Sequence, residues 1–483
     1  MKRMAILFFI VFSMVSISAQ EGFQFEKEVN KVSVPFKLIN NLVFVPIKVN
    51  GVELNFLLDS GVEETILFSL EEKKEVHYFN TEKVFLRGLG SQEAVEGLKS
   101  TNNVLEFGSM KYRNHMFYIV LDPEFNLSSH IGIPVNGIIG FQFFRDNLVE
   151  INYRKKRIIV YKDNNKNRIK AEKRYSVIPI TIEKSKPYLK SKVVLNNTEV
   201  PVKLLIDTGN SDAVWLFQDR SEQIKAPSKN FNDFLGRGFS GDVEGKRARI
   251  QKFEMSKFEF NNPVVAFPDS SSIKNVTMVA DRMGSVGGEI IRRFDVIFDY
   301  QNRKMYLKKN SEYNSPFGYN KSGVEIQHKG LQWIQETVRL ETVPLSKNAF
   351  DSEADKKKDF KYKFLLKPIY EIANVRESSP AAIAGLQKGD VIILINKNPA
   401  YKYSLQEINT LFKSEGVKWI TLEVERGNEI LKFKFQLDDI LQQKKTLLNN
   451  FTEAFLFNQY YLVGNYFSFN FQGNSSTIII YCI

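Results

Sequence analysis

The chain has 483 residues, of which 43% are hydrophobic and 25% are charged, with a formal net charge of +12. This apolar content is enough for two or three domains with buried cores, and the single cysteine, Cys482, excludes an internal disulfide, so core burial has to supply the stability. The positive charge is interspersed with acidic residues throughout, which is typical of solvated surfaces and argues against a nucleic acid partner, although it leaves open attraction to acidic cell-envelope polymers.

The N-terminus has the pattern of a secretory signal peptide. Lys2-Arg3 precedes an apolar stretch over residues 4–17, and Ser18-Ala19-Gln20 supplies small residues for cleavage near Ala19. The apolar stretch is too short for a comfortable membrane span. We therefore expect removal of residues 1–19 and export of the mature chain to the periplasm, the cell envelope or the exterior, without a transmembrane anchor. A buried N-terminal helix is the alternative.

Two short motifs with a carboxylate come directly after apolar runs. Asp59-Ser60-Gly61 follows residues 54–58, and Asp207-Thr208-Gly209 follows residues 202–206. Each Asp therefore lies where a buried strand breaks into a tight turn. One such triplet is ordinary turn chemistry, and about 0.2 copies are expected by chance in a chain of this length. Two copies in matching contexts favour a paired-carboxylate active site over two turn caps.

The two motifs lie in the two halves of an internal duplication. Gly137-Ile138-Ile139-Gly140 in the first half corresponds to Gly284-Ser285-Val286-Gly287 in the second, 147 residues later, and the two Asp residues are 148 residues apart. Each half also has a glycine-rich hairpin candidate between its Asp and its second glycine cluster. A period of this length is too long for a solenoid repeat and predicts two copies of one small β-rich domain, over residues 33–162 and 174–309.

This series of motifs resembles the two-lobed pepsin-like and retropepsin-like aspartic proteases. The resemblance implies a mainly β fold of duplicated β-barrel lobes, in which Asp59 and Asp207 meet at the lobe interface and share a proton. One carboxylate then acts as general base on a water, while the protonated partner acts as acid towards the scissile carbonyl. The implied activity is an aspartic-type endopeptidase that hydrolyses protein or peptide substrates.

The resemblance also gives roles to the neighbours of the two Asp residues. The hydroxyls of Ser60 and Thr208 are expected to form hydrogen bonds across the interface, and Gly61 and Gly209 let backbone N–H groups approach the carboxylates. The glycine-rich hairpins resemble the flaps that close over substrate in this family. The flap candidates are Gly88, Gly90, Gly236 and Gly238.

Two positions depart from the family pattern. Ser285 replaces an apolar residue in the second apolar-apolar-Gly strand, and the residues after the two triplets differ, Val62 against Asn210. We therefore expect an asymmetric environment around the pair. The four histidines are scattered and the short metal-ligand motifs are absent, so we expect no metal and no cofactor.

The region after about residue 319 resembles a PDZ domain of the kind found in bacterial envelope proteases. The resemblance rests on Ser378-Ser379-Pro380-Ala381-Ala382 and on Lys388-Gly389-Asp390 with the apolar run over residues 391–395. It implies an α+β domain over residues 319–439, with a groove-lining helix over residues 404–412. A PDZ fold that serves only as a structural cap is the alternative.

PDZ domains capture a chain end by adding it to a sheet edge, with its carboxylate on backbone N–H groups. The resemblance places this loop and strand at residues 321–326, with Gly323, Val324 and Ile326 as the binding candidates. A polar insertion over about residues 345–361 is predicted to be a solvated loop.

Residues 440–483 are rich in Phe, Tyr and Asn and receive no predicted role. The whole sequence thus predicts an exported aspartic endopeptidase whose PDZ domain binds peptide or protein chain ends. The alternative is a catalytically inactive envelope protein that binds peptides or acts as a scaffold through its PDZ domain and protease-like cleft.

Overall fold

The computed structural model describes residues 22–441, apart from residues 69–74, 87–94, 122–126, 239–240, 275, 277 and 343–356. The predicted signal peptide, the flap candidates Gly88 and Gly90, and nearly all of the tail predicted over residues 440–483 lie outside the described residues. The described residues up to Asp439 belong to one compact unit. They are mainly β, which confirms that part of the predicted fold class.

The elements up to residue 161 comprise strands and two short helices. The strands are β1 (Gln24–Phe25), β2 (Lys31–Pro35), β3 (Lys37–Ile39), β4 (Leu42–Val49), β5 (Val52–Leu58), β6 (Ile66–Leu67), β7 (Glu82–Leu86), β8 (Val95–Phe107), β9 (Met110–Val120), β10 (Gly137–Ile139), β11 (Leu148–Asn152) and β12 (Arg157–Tyr161). The helices are α1 (Leu127–Ile131) and α2 (Phe141–Phe144).

The next segment, up to residue 309, has a similar series of elements. The strands are β13 (Ser176–Pro179), β14 (Thr181–Glu183), β15 (Lys186–Leu195), β16 (Thr198–Ile206), β17 (Val214–Leu216), β18 (Asn230–Gly238), β19 (Gly241–Arg249), β20 (Lys252–Met255), β21 (Phe258–Asn261), β22 (Val264–Pro268), β23 (Arg282–Val286), β24 (Phe294–Asp299) and β25 (Lys304–Lys309). The helices are α3 (Asn165–Glu172), α4 (Ser270–Ile273) and α5 (Gly288–Ile291).

The duplication seen in the sequence has a counterpart in the strand order. In the first sheet β10 lies between β5 and β6, parallel to β5 and antiparallel to β6. In the second sheet β23 lies between β16 and β17 with the same two orientations. Because β5 and β16 are the strands that end at Asp59 and Asp207, the two carboxylates follow equivalent strands of equivalent sheets.

The hairpins ahead of the two Asp residues turn through left-handed backbone at an Asn-Gly and an Asn-Asn pair. Asn50 and Gly51 join β4 to β5 with φ of 48° and 90°, and Asn196 and Asn197 join β15 to β16 with φ of 50° and 62°. Asn and Gly tolerate this region, so each turn sets the register of the strand that ends at its Asp.

A third sheet joins the two halves. Its six strands run in the order β13-β25-β24-β11-β12-β2, and β11 pairs with β24 across the centre. The central pair is Glu150 with Ile297, which are 147 residues apart, the period of the duplication. Equivalent strands of the two halves therefore pair with each other at this point. The approximate two-fold axis that relates β5 to β16 passes through this pair.

The C-terminal part forms a fourth sheet with two helices beside it. The strands are β26 (Val324–Thr342), β27 (Lys357–Val375), β28 (Val391–Ile395), β29 (Asn398–Pro399), β30 (Lys418–Arg426) and β31 (Glu429–Leu437), and the helices are α6 (Pro380–Ala384) and α7 (Leu405–Phe412). Ser404 and Glu407 form a capping box at the start of α7, where the groove-lining helix was predicted. Strand β26 is at the edge of this sheet.

The structure differs from the loop that was predicted for the polar insertion. Strands β26 and β27 stay paired as far as Thr342 and Lys357, so residues 357–361 belong to a strand and not to the predicted solvated loop. Aromatic residues alternate with charged ones here, at Phe360, Tyr362 and Phe364, and this period of two is a strand signal that the lysine content had masked. The rest of the predicted loop, residues 345–356, lies outside the described residues.

Candidate functional site

The two Asp turns are held by equivalent backbone contacts. The Asp59 N–H donates to the Ile139 carbonyl and the Asp207 N–H donates to the Val286 carbonyl, each at 2.9 Å. Both carbonyls belong to the glycine-flanked strands β10 and β23. A Cβ at Gly140 would collide with the Val62 carbonyl beneath the first turn, so only glycine lets the strand pass this close. The sequence motif thus fixes where each carboxylate starts.

Four hydrogen bonds tie the two turns to each other. Thr208 Oγ1 accepts from the Ser60 N–H at 2.9 Å and donates to the Leu58 carbonyl at 2.8 Å. Ser60 Oγ accepts from the Thr208 N–H at 3.1 Å and donates to the Ile206 carbonyl at 2.7 Å. Both side chains are almost fully buried. The hydroxyls predicted to bridge the halves therefore form a reciprocal pair, and each one satisfies backbone groups of the opposite turn.

The carboxyls of Asp59 and Asp207 lie side by side, since an oxygen of each lies within about 3 Å of the position that a Cβ at Gly61 would occupy, and each affects the titration of the other. Each also accepts the N–H two residues on, from Gly61 at 2.7 Å and from Gly209 at 3.1 Å. A Cβ at Gly61 would lie 3.0 Å from Asp207 Oδ1, and one at Gly209 would collide with the Asp59 carboxyl. The two glycines therefore leave room for the opposite carboxyl, a role beyond the N–H approach that the sequence predicted.

Burial and mutual repulsion favour one bound proton on this pair. The pKa of Asp59 is raised to about 8 by burial first and then by the charge of Asp207. Burial also raises the pKa of Asp207, but the nearby charge of Arg282 opposes that rise. Two like carboxyls in contact cannot both ionise at low cost, so the pair titrates as a unit that keeps a proton near neutral pH.

The asymmetry predicted from Asn210 and Ser285 has a direct structural cause. In the first half the equivalent residues, Val62 and Ile138, are apolar members of one core cluster. In the second half the Asn210 Nδ2 donates to Ser285 Oγ at 3.2 Å, and the Asn210 Oδ1 accepts from the Asp212 N–H at 2.9 Å. The two residues that depart from the family pattern, Asn210 and Ser285, are thus hydrogen-bonded to each other, and both are buried.

Hairpins extend from both halves towards the pair. In the second half β18 pairs with β19, and a bulge between Phe234 and Gly236 bends the hairpin. Gly236 has φ of 152°, and it lines the cleft together with Gly238. In the first half β7 pairs with β8 and Leu86 lines the cleft, whereas Gly88 and Gly90 lie outside the described residues.

One cavity of about 890 Å³ runs from the two carboxyls to the C-terminal sheet. Its wall includes Asp59 and Asp207, the hairpin residue Leu235, and Gly323 and Ile326 at the start of β26. An extended peptide of several residues fits a cleft of this volume. No pattern in the sequence indicated that the strand predicted to bind peptides would line the same cleft as the carboxyl pair.

The backbone groups predicted to receive a chain-end carboxylate are already occupied. Asn320 Oδ1 accepts from the N–H groups of Ser322 at 3.1 Å and Gly323 at 3.2 Å, and Ser322 Oγ accepts from the Val324 N–H at 3.0 Å. Asn320 Nδ2 donates to the Val324 carbonyl at 2.7 Å. The Asn320 amide therefore occupies the start of this edge as a peptide would, and sequence reasoning missed it.

Comparisons with known proteins identify one part of the chain. Residues 371–426 match the family model of the PDZ domain. No curated protein matches the chain. The PDZ domain supports a role in binding peptides or proteins. The family match confirms the predicted PDZ resemblance over residues 371–426.

Two features are absent from the described residues. No helix among them is long and apolar enough to cross a membrane. Among the same residues, no group of three or more His, Cys, Asp and Glu side chains is placed to hold a metal ion.

The hydroxyl pair generates a stability prediction. Thr208→Val removes the oxygen that satisfies the buried Ser60 N–H and leaves the Leu58 carbonyl without that donor. An unsatisfied buried polar group costs about 1–3 kcal/mol, so we expect a loss of about 2–4 kcal/mol in the free energy of unfolding, measured by urea titration. Thr198→Val, at the exposed start of β16, the strand that precedes the Thr208 turn, is the control. Equal stability of the two variants would contradict the bridging role.

The raised pKa of Asp59 predicts how stability varies with pH. The folded chain retains a proton that the unfolded chain releases above about pH 4, so the free energy of unfolding falls as pH rises from about 4 towards 8. Asp59→Asn should flatten this fall in urea titrations. Asp281→Asn is the control, because its bond to Lys203 lowers the Asp281 pKa and moves its titration below this window. An unchanged slope in Asp59→Asn would disprove proton retention by the pair.

The occupied loop predicts the kind of peptide end that binds. Because Asn320 and Ser322 satisfy the N–H donors, synthetic peptides with an apolar C-terminal residue should bind equally well with a free or an amidated end. Asn320→Ala frees two donors, and this variant should prefer the free carboxylate. Fluorescence anisotropy of labelled peptides measures both affinities. A strong preference of the unmodified protein for free ends would show that Asn320 moves aside.

Proposed function

We propose that this chain is an aspartic endopeptidase of the two-lobed pepsin-like and retropepsin-like kind, acting on protein or peptide substrates. The observation that supports it most is the juxtaposition of the Asp59 and Asp207 carboxyls, set on equivalent turns that Ser60 and Thr208 tie together. If the two Asp residues only capped turns, their carboxyls would not need to be in contact. The neighbouring positions would not need to lack a Cβ atom either.

The mechanism we propose assigns different protonation states to the two carboxyls. Arg282 stabilises the charge of Asp207, so Asp207 is the ionised member and Asp59 carries the proton. Asp207 takes a proton from a water while the water oxygen attacks the scissile carbonyl carbon, and Asp59 gives its proton to the carbonyl oxygen. The resulting tetrahedral diol then collapses as Asp207 returns a proton to the leaving nitrogen, the C–N bond breaks, and Asp59 regains its proton from a diol hydroxyl.

The cleft supports a peptide substrate in extended form. Strands β7 and β18 lead hairpins towards the carboxyl pair from opposite halves, and their residues Leu86 and Leu235 contribute to the cavity wall. We propose that these hairpins act as flaps and exclude water during the reaction. The PDZ region would contact a further stretch of the same substrate through Gly323 and Ile326, which line the cleft, because α1 already packs against β26.

We also propose that the chain is exported with cleavage near Ala19, as the N-terminal sequence predicts. A second candidate function is peptide binding without catalysis. The PDZ match favours it, since that match indicates binding and carries no information about hydrolysis.

Activity measurements on residues 20–483 test the proposal. We expect cleavage of a denatured protein mixture somewhere between about pH 3 and 8, sensitive to a statine-type transition-state mimic. Asp59→Asn and Asp207→Asn should each lower kcat by about 10²–10⁴-fold or more, because each removes a proton-transfer group. Asp281→Asn, an exposed carboxyl with its own lysine partner, should cleave normally.

Fragments separated by mass spectrometry report both the rate and the cleavage positions. Retained activity in either dyad variant would rule out the shared-proton mechanism. Complete inactivity of the unmodified protein, with peptides still bound, would favour the second candidate function.

A further inference from the structure

Two cationic side chains line the cleft beside the carboxyl pair. Lys186 begins β15 and Arg282 begins β23, and both line the cavity that holds Asp59 and Asp207. Arg282 is only 7% exposed and Lys186 is half-buried. Burial of a cation costs free energy unless a group of opposite charge lies nearby, so a partner is expected for each of these side chains.

Arg282 is poorly satisfied by its surroundings. Its Nε donates to the Gly284 carbonyl at 3.0 Å, and the guanidinium carbon lies 5.2 Å from the centre of the Phe217 ring. Among the described residues, neither Arg282 nor Lys186 has a carboxylate within ion-pair distance. Arg247 shows the contrast, since its guanidinium contacts Asp212 at 2.7 Å and Asp233 at 2.5 Å.

The charge balance of this part of the cleft is positive. The carboxyl pair with its shared proton carries one negative charge, against two positive charges on Lys186 and Arg282. Burial and the charge of Arg282 lower the pKa of Lys186, which shows that the two cations repel each other. Glu63 also acts on Lys186, but Glu63 is exposed and therefore screened by water. One further negative charge would balance the site.

The walls around the cations indicate what kind of anion fits. Tyr188 and Leu205 form a small apolar cluster on strands β15 and β16, and Leu205 lines the same cavity. A methylene stem packs against such a surface while its terminal carboxylate reaches the guanidinium, which presents paired N–H donors that match a carboxylate. A free inorganic anion would leave the apolar wall uncovered.

We propose that Arg282 and Lys186 form a subsite that selects an acidic side chain of the substrate, Asp or Glu, close to the scissile bond. This inference rests on the proposed peptidase function and adds its substrate class. The competing role for both cations is to hold the charge of the dyad, which would tune its titration and leave substrate choice alone.

Paired peptides separate the two roles. Each pair differs only by Glu or Gln at one position near the scissile bond, and kcat/KM is measured for both members across the pH range. We expect the unmodified protein to prefer Glu at one position by about 10–100-fold, the value of one hydrogen-bonded charge pair. In Arg282→Gln and in Lys186→Gln the ratio should fall towards one, whatever happens to the overall rate.

Control variants make the ratio specific to the subsite. Arg282→Lys keeps the charge and should retain part of the preference, and Lys192→Gln, at an exposed lysine of β15 that pairs with Glu199, should leave the ratio unchanged. If the Glu and Gln peptides change together and only the pH profile moves, the cations serve the dyad alone and the proposal is wrong. An unmodified protein without any preference also overturns it.

Binding of statine-type peptides keeps the subsite separate from catalysis. Calorimetry on Asp207→Asn, with Glu and Gln versions of the same mimic, measures selection without turnover. Glu preference that disappears in Asp207→Asn combined with Arg282→Gln supports the subsite even if no peptide is cleaved, in which case only the peptidase proposal fails. Cleavage without Glu preference in either assay refutes the subsite and leaves the peptidase proposal standing.

Discussion

The contact between the carboxyls of Asp59 and Asp207 is the interaction on which the rest of the central structure depends. Two buried carboxyls repel each other unless a proton lies between them, so the fold has to force them together. It does so at two levels. The sheet centred on the β11–β24 pairing fixes the approach of the two halves, and the hydroxyls of Ser60 and Thr208 fix the two turns. Each of these contacts joins a residue of one half to the residue at the equivalent position of the other half.

Departures from that symmetry are concentrated in the second half. The Asn210–Ser285 hydrogen bond replaces an apolar pair, and Arg282 enters the wall on the same side. A symmetric pair would share its proton evenly. Charge and polarity placed on one side favour ionisation of Asp207, so the two carboxyls differ in their titration although their local backbones are equivalent.

The parts that sequence reasoning could find were the parts with local signals. The apolar runs before Asp59 and Asp207 and the glycine clusters at residues 137–140 and 284–287 are such signals, so the equivalence of the two carboxylates followed from neighbouring residues. Asn320 is different, because an asparagine in a turn has no sequence mark that distinguishes a loop plug from an ordinary turn residue. The long pairing of β26 with β27 was likewise hidden, since lysines between aromatic residues gave the segment the composition of a loop.

Buried charges also explain how the C-terminal region takes part in the cleft. Arg376, just after β27, contacts Asp233 of β18 at 3.4 Å, and Asp233 contacts Arg247, which in turn contacts Asp212 beside the second Asp turn. Removing one member of such a chain would leave a buried charge unpaired, at a cost of about 3–5 kcal/mol. Compensating charges therefore contribute to holding the PDZ region against the β18 hairpin. Gly323 and Ile326 at the start of its edge strand thereby lie in the wall of the same cleft as the carboxyl pair.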